Sequence, residues 1–163
     1  MEEFLKDFRR TVEEASARLL SMTESESEAR PAPGAWSAKE TIGHLIDSAA
    51  NNHQRFVRAQ FKEDLAFPGY EQDEWVAAQK YQQEPWPLIV NLWRAYNLHL
   101  AHVAANVPEE KLKLPRREHT LNSIAFNLVP ETEPATLEYL IRDYLAHLKH
   151  HLGQITAGES EGR

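Results

Sequence analysis

Four stretches carry apolar side chains at the three-to-four-residue spacing of a helix, and no stretch shows the two-residue alternation of a convincing strand. The first, from about Glu3 to Ser21, places Phe4, Leu5, Phe8, Val12, Leu19 and Leu20 on one stripe. The second runs to about Phe61 on Ile42, Leu45, Ile46, Ala49, Phe56 and Val57. The third, about Pro87 to Asn106, has a broad face built from Leu88, Ile89, Leu92, Trp93, Tyr96, Leu100 and Val103. The fourth starts between Pro134 and Thr136, ends near Ala157, and is centred on Leu137, Leu140, Ile141, Tyr144, Leu148 and Ile155. With no internal repeat, this pattern predicts an all-α, single-domain four-helix bundle over residues 1–163. The middle connections are long enough for a crossover, so the order of the helices stays open.

The connections have their own signals. Met22 to Ala35 reads as a linker, because its Ser-Glu alternation and Pro31-Ala32-Pro33-Gly34 lack an apolar period. The second helix starts at a capping box, Ser37 with Glu40, and Trp36 occupies the preceding position, where an apolar residue staples the entry. Lys62 to Gln72 reads as a loop and Asp73 to Gln83 as a short helix ended by Pro85 and Pro87. Lys111 to Glu133 is the least readable part, and Gly158 to Arg163 should be frayed.

Charge and composition exclude several function classes. A net charge of −7 argues against a nucleic-acid footprint, which needs a basic patch. No apolar run is long enough for a membrane span. Met1-Glu2-Glu3-Phe4-Leu5 lacks the basic-then-apolar order of a signal peptide, so a cytoplasmic location is the default. Without cysteine there can be no disulfide, thiolate ligand or cysteine nucleophile. Any metal must therefore use His, Asp, Glu or water, and imidazole ligands point to zinc, nickel, iron or copper.

Eight histidines are available for that purpose. His147 and His151 stand four apart on the last helix, close enough for two imidazoles to grip one ion. On a helical wheel His151 lies roughly 55° and His147 roughly 95° from the apolar centre, while His150 lies roughly 155° away and should face solvent. An ordinary solvated cluster that suits the helix C-terminus is the competing reading. On the second helix, periodicity favours His53, in the middle of the apolar stripe, over His44, nearly opposite it. His44 instead shares a strip with Glu40, Ser48, Asn51 and Arg55, which is either solvated surface or the wall of a polar pocket. Gly43 beside it costs about 1 kcal/mol in a helix relative to Ala, as a close backbone contact would explain. His99 sits at the rim of an apolar face, and His102 and His119 read as surface or loop residues.

Three segments together carry a resemblance. Trp36-Ser37-x-x-Glu40-x-x-Gly43-His44-Leu45-x-Asp47-Ser48, then Tyr70-x-x-x-Glu74-Trp75, then His147-x-x-x-His151-x-Gly153-Gln154-Ile155 resemble the DinB/YfiT-like family of helical-bundle metalloenzymes. The resemblance implies an up-down-down-up bundle, a homodimer, and a divalent metal, zinc or nickel foremost, held by His44, His147 and His151. It thereby overrides the wheel at position 44 and leaves His53 and His99 as core or pocket histidines. It implies a metal-dependent enzyme acting on a small molecule. The reaction is either an S-transfer or isomerisation served by a low-molecular-weight thiol (mycothiol, bacillithiol or glutathione) or a hydrolysis.

An open three-histidine site suits either chemistry, activating water or holding a thiol as thiolate. Asp47, Asp143 and Gln154 are the candidates to orient the ligating rings. Asn51, Asn52 and Arg55 are candidate pocket residues, Arg55 for an anionic group. Closure of the metal sphere by a fourth ligand such as His53 or Glu40 would favour the alternative, a non-catalytic metal- or small-molecule-binding bundle in stress response.

Overall fold

The computed structural model describes the backbone of residues 1–161 and the side chains of residues 1–155. The four expected helices are α1 (Glu2–Leu20), α3 (Ala38–Arg58), α5 (Trp86–Ala105) and α8 (Leu137–Glu161). Short helices lie between them: α2 (Glu24–Glu28), α4 (Gln72–Gln79), α6 (Glu109–Lys113) and α7 (Leu121–Ile124). The end expected to fray at 158–163 falls on residues outside the described side chains. Among the described residues extended pairing is limited to two isolated bridges, Leu65 with His119 and Arg116 with Ala135. No helix among them is long and apolar enough to cross a membrane.

Side-chain pairs fix the direction of each helix. Arg94 of α5 grips Glu13 of α1 at 2.7 Å, and the Trp86 indole donates to the Leu19 carbonyl at 2.8 Å, so α1 and α5 are antiparallel. Lys39 reaches the Gln82 carbonyl just ahead of α5, and His53 meets Tyr96 within it, so α3 and α5 run parallel. Phe56 packs on Tyr144 and His44 on His151, so α8 runs against α3. Phe4 and Phe8 meet Arg142 and Tyr144, so α8 runs with α1. The order is therefore up-down-down-up. It places α1 diagonally from α3, and α5 diagonally from α8. Tyr144 ties the core together. Its ring packs edge-on against Phe8 and Phe56, and its buried hydroxyl donates to Asn97 Oδ1 at 2.5 Å.

The stretch Met22–Ala35 is more than a linker. Thr23 and Glu26 form a second capping box, which starts α2, and Glu24 and Glu28 then reach Lys39 on α3. Lys39 is only 1% exposed, so its ammonium needs those carboxylates. Together α2, α4 and the 3-10 turn Tyr81–Gln83 wrap the N-terminal half of α3. Every residue from Ala38 to Ala49 is consequently buried, on both faces of the helix. A wheel drawn for one core misses this, because α3 packs on the bundle with one side and on the short elements with the other.

Candidate metal centre

His44 sits in that doubly covered half of α3 and is 1% exposed. Its ring packs 5.0 Å from Trp36, 5.2 Å from His147 and 4.8 Å from His151. Trp36, expected as a staple for helix entry, therefore also roofs the site, 6.5 Å from the His151 ring. The antiparallel crossing of α3 and α8 brings the His147–His151 pair, its rings 4.6 Å apart, onto His44. One ring nitrogen from each of the three lies within 4.8 Å of the others. His44 Nε2 and His147 Nε2 are 3.2 Å apart. Two nitrogens bound tetrahedrally to one zinc at ordinary bond lengths are separated by about 3.3 Å, so the His44–His147 pair has the spacing of two ligands to one ion, with a His151 nitrogen within 4.8 Å of both.

The electrostatics fit as well. Burial pushes the His44 pKa down to about 4, with His151 adding to the effect. Burial first, then His151, His44 and His150, push His147 down to about 3. His151 is also lowered by burial, against a hydrogen bond from its Nδ1 to Gln154 Oε1 that raises it. All three rings are thus neutral near pH 7, which is the form that donates a lone pair to a metal.

The surrounding carboxylates are arranged differently from the expectation. Asp47 does not bond His44: it accepts from Gln79 at 2.6 Å and from the Tyr81 hydroxyl at 2.8 Å, leaving Oδ2 unpartnered. Asp143 does not bond His147: its two oxygens accept from the Phe126 and Asn127 amides and the Asn127 side chain at 2.7–2.9 Å. That carboxylate pins the loop after α7 against α8. Only Gln154 meets a ring of the cluster, with Oε1 2.8 Å from His151 Nδ1, and its amide nitrogen lies 3.1 Å from His150 Nε2. The His44 Nδ1 atom is buried without a partner.

Gly43 has the close contact its position suggested. A Cβ there would stand 2.1 Å from the Tyr81 ring, the ring whose hydroxyl holds Asp47. Tyr81 is itself buried and cannot swing aside freely. Gly43→Ala should lower stability by about 1–3 kcal/mol through overpacking, despite the better helix propensity of Ala. Denaturant titration against wild type measures this.

The three histidines open onto a cavity of about 600 Å³. Its wall includes Ser48, Asn52, Arg55, Tyr70, Phe126 and Tyr144. Arg55 is there as expected. Asn52 also lines the cavity, whereas Asn51 does not: its side chain folds back onto the Asp47 carbonyl. His150 is exposed, as the wheel indicates, yet it stands on the cavity rim against Phe126. His53 is outside the cavity, half-buried between α3 and α5 against Tyr96 and the exposed His99. His119 is a buried loop residue: Nε2 meets the Glu133 carbonyl at 2.7 Å and Nδ1 accepts from the Leu121 amide. Tyr70 and Phe126 were not assigned to the site from sequence, and Tyr70 alone carried a signal, as part of a recognised motif.

An up-down-down-up helical bundle with three converging histidines at one end of a cavity defines the class. The chain belongs to the DinB superfamily, whose family model matches residues 7–155. A Bacillus cereus (strain ATCC 10987 / NRS 248) relative named "Putative metal-dependent hydrolase" is 27% identical over 124 residues, covering 76% of this chain and 65% of the relative. A relative from Bacillus thuringiensis subsp. konkukian (strain 97-27) has the same identity and coverage. The matched part of the chain thus spans just under two thirds (65%) of the length of these curated relatives. Among solved structures, the fold is similar to YfiT from Bacillus subtilis, described as "a probable metal-dependent hydrolase with an unusual four-helix bundle topology". The TM-score is 0.76 at 20% identity, over 99% of this chain and 89% of that one.

Proposed function

We propose that this protein is a metal-dependent hydrolase of small molecules, with His44, His147 and His151 holding a divalent transition metal, zinc or nickel foremost. The observation that carries the reading is the convergence of three neutral imidazoles on an open cavity. Bound there, a zinc ion would supply Lewis acidity and bring water to a pKa near 7. The rest falls to the chain. Burial of His44 and His147 keeps protons off the donor nitrogens. Gln154 orients His151 through Nδ1. Tyr70, in hydrogen-bond contact with Ser48 and with its pKa pushed up to about 12 by burial first, stays protonated. Its hydroxyl is then available to donate to an oxyanion developing in the cavity. Trp36 and Phe126 shield the histidine rings from bulk water.

A second reading is an S-transferase that borrows a low-molecular-weight thiol. The chain has no cysteine of its own, and about 600 Å³ is enough for a cofactor-sized molecule. One experiment separates the two. Zinc- and nickel-loaded protein is incubated with a panel of activated esters and amides, with and without added thiols. The hydrolase reading expects turnover without thiol, loss on chelation and recovery on metal return. Turnover only with thiol would transfer the assignment to the S-transferase, and no metal-dependent turnover of either kind would favour a binding role. Homodimerisation, a cytoplasmic location and a lack of nucleic-acid or membrane partners remain part of this proposal.

A further inference from the structure

Arg55 is the residue of the cavity wall whose chemistry the histidine cluster leaves unused. It lies eleven residues after His44 on α3, about 20° from the same face of the helix. It is only 6% exposed. Its Nη2 donates to the Pro68 carbonyl at 3.0 Å and its Nη1 to Asn52 Oδ1 at 3.5 Å, both neutral acceptors. Among the described residues no carboxylate stands within ion-pair distance of it.

The other buried cations are treated differently. Lys39 is paired with Glu24 and Glu28. Arg116, pushed down first by burial, has no carboxylate within ion-pair distance among the described residues either, but it feels the charges of Glu63 and Asp64 and lies outside the cavity wall. Arg55 is pushed down by burial first, and what acts against that is Tyr70, a phenol held protonated and so uncharged. Asp143, on the same cavity wall, already has both oxygens engaged by Phe126 and Asn127. A guanidinium has five donors in a planar fork suited to an oxyanion. Burying one without a counter-ion is unfavourable unless an anion arrives from outside.

We infer that the cavity takes an anionic substrate, with a carboxylate or phosphate held by Arg55 and the scissile group at the three histidines. Along α3 the two ends are separated by about 16 Å at Cα. The arginine side chain leans toward the helix N-terminus and shortens that gap. Tyr70 lies between, its ring 6.4 Å from the ring of His44. The substrate is therefore an extended molecule with several bonds between its anionic end and the bond that is cut. The hydrolase reading supplies the reacting end; the anion site stands on Arg55 alone.

Calorimetric titration of the whole protein tests this, both zinc-loaded and after chelation. The probes are suberate, an eight-carbon dicarboxylate, against its neutral diamide, and octyl phosphate against octanol. The anionic member of at least one pair should bind at least tenfold more tightly than its neutral partner, with and without zinc, and the tighter pair names the oxyanion. Arg55→Gln should erase the preference. His147→Ala should keep it even where hydrolysis is lost, so failure of the hydrolase reading is distinguishable from failure of this one. No anion preference, a preference that appears only with zinc, or one that survives Arg55→Gln overturns the inference. If Arg55→Gln does not fold, the Arg55 Nε–Hε resonance of wild type replaces it. That signal should move with the preferred anion and not with its neutral partner, and an unmoved signal is equally fatal.

Discussion

Zinc at a thousandfold excess over its dissociation constant should raise the melting temperature by about 10 °C, the effect of about 4 kcal/mol on a chain of this size. His147→Ala should cut the rise to about 4 °C at the same zinc concentration, because losing one ligand weakens binding by about 100-fold. An ion held by His44, His147 and His151 binds the folded chain, where α3 and α8 cross, and not the unfolded one, so its binding energy adds to folding. His44 and His147 come from elements 103 residues apart in sequence, so the site exists only after the bundle forms. His53→Ala is the informative control. It removes the histidine that periodicity favours, and it should leave the zinc-dependent rise intact. Scanning calorimetry of the three proteins with and without zinc checks the prediction. An equal rise in wild type and His147→Ala would remove the site.

The second large effect is on acid stability of the metal-free protein. In the folded chain His44 titrates at about 4 and His147 at about 3, both below the ordinary 6.5. Between those values and 6.5 the unfolded chain binds more protons than the folded one, so stability falls as pH falls through that window. It is fully present above about pH 6.5. Two such rings give a slope of up to about 2.7 kcal/mol per pH unit in the middle of the window. Asp47 opposes this at the acid end, since burial raises its pKa and favours its protonated form in the fold. Urea titrations from pH 7 to pH 4 should show the slope in wild type and a much flatter curve in a His44→Phe/His147→Leu variant. A wild-type curve as flat as that of the variant would mean the rings are not buried neutral.

The bundle was legible because α1, α3, α5 and α8 each carry a stripe that only a helix can bring to one side. The short elements were less so. The Thr23–Glu26 capping box was present in the sequence, but α2 has five residues and no apolar period, so its role is visible only once Lys39 is seen buried between Glu24 and Glu28. His44 shows the same limit from the other side. Periodicity assumes one buried face, and α3 has two over its first half, so His44 became readable through the family resemblance rather than the wheel. The neighbouring polar residues failed for a different reason. Asp47 and Asp143 were placed by spacing along their own helices, yet their partners, Tyr81, Gln79, Phe126 and Asn127, come from connections whose path the sequence does not fix. Of the two neighbouring asparagines offered for the cavity wall, Asn52 lines it, while Asn51 spends its amide on the Asp47 carbonyl of its own helix, a local bond that helix position does not reveal.

The most direct test of the central claim is the zinc X-ray absorption spectrum of the loaded protein, compared with that of His44→Ala. The three-histidine centre predicts three imidazole nitrogens at about 2.0–2.1 Å in wild type, completed by a non-protein light atom. It predicts one imidazole fewer in the variant. Fewer than three imidazoles in wild type, or an unchanged spectrum in His44→Ala, would contradict the account.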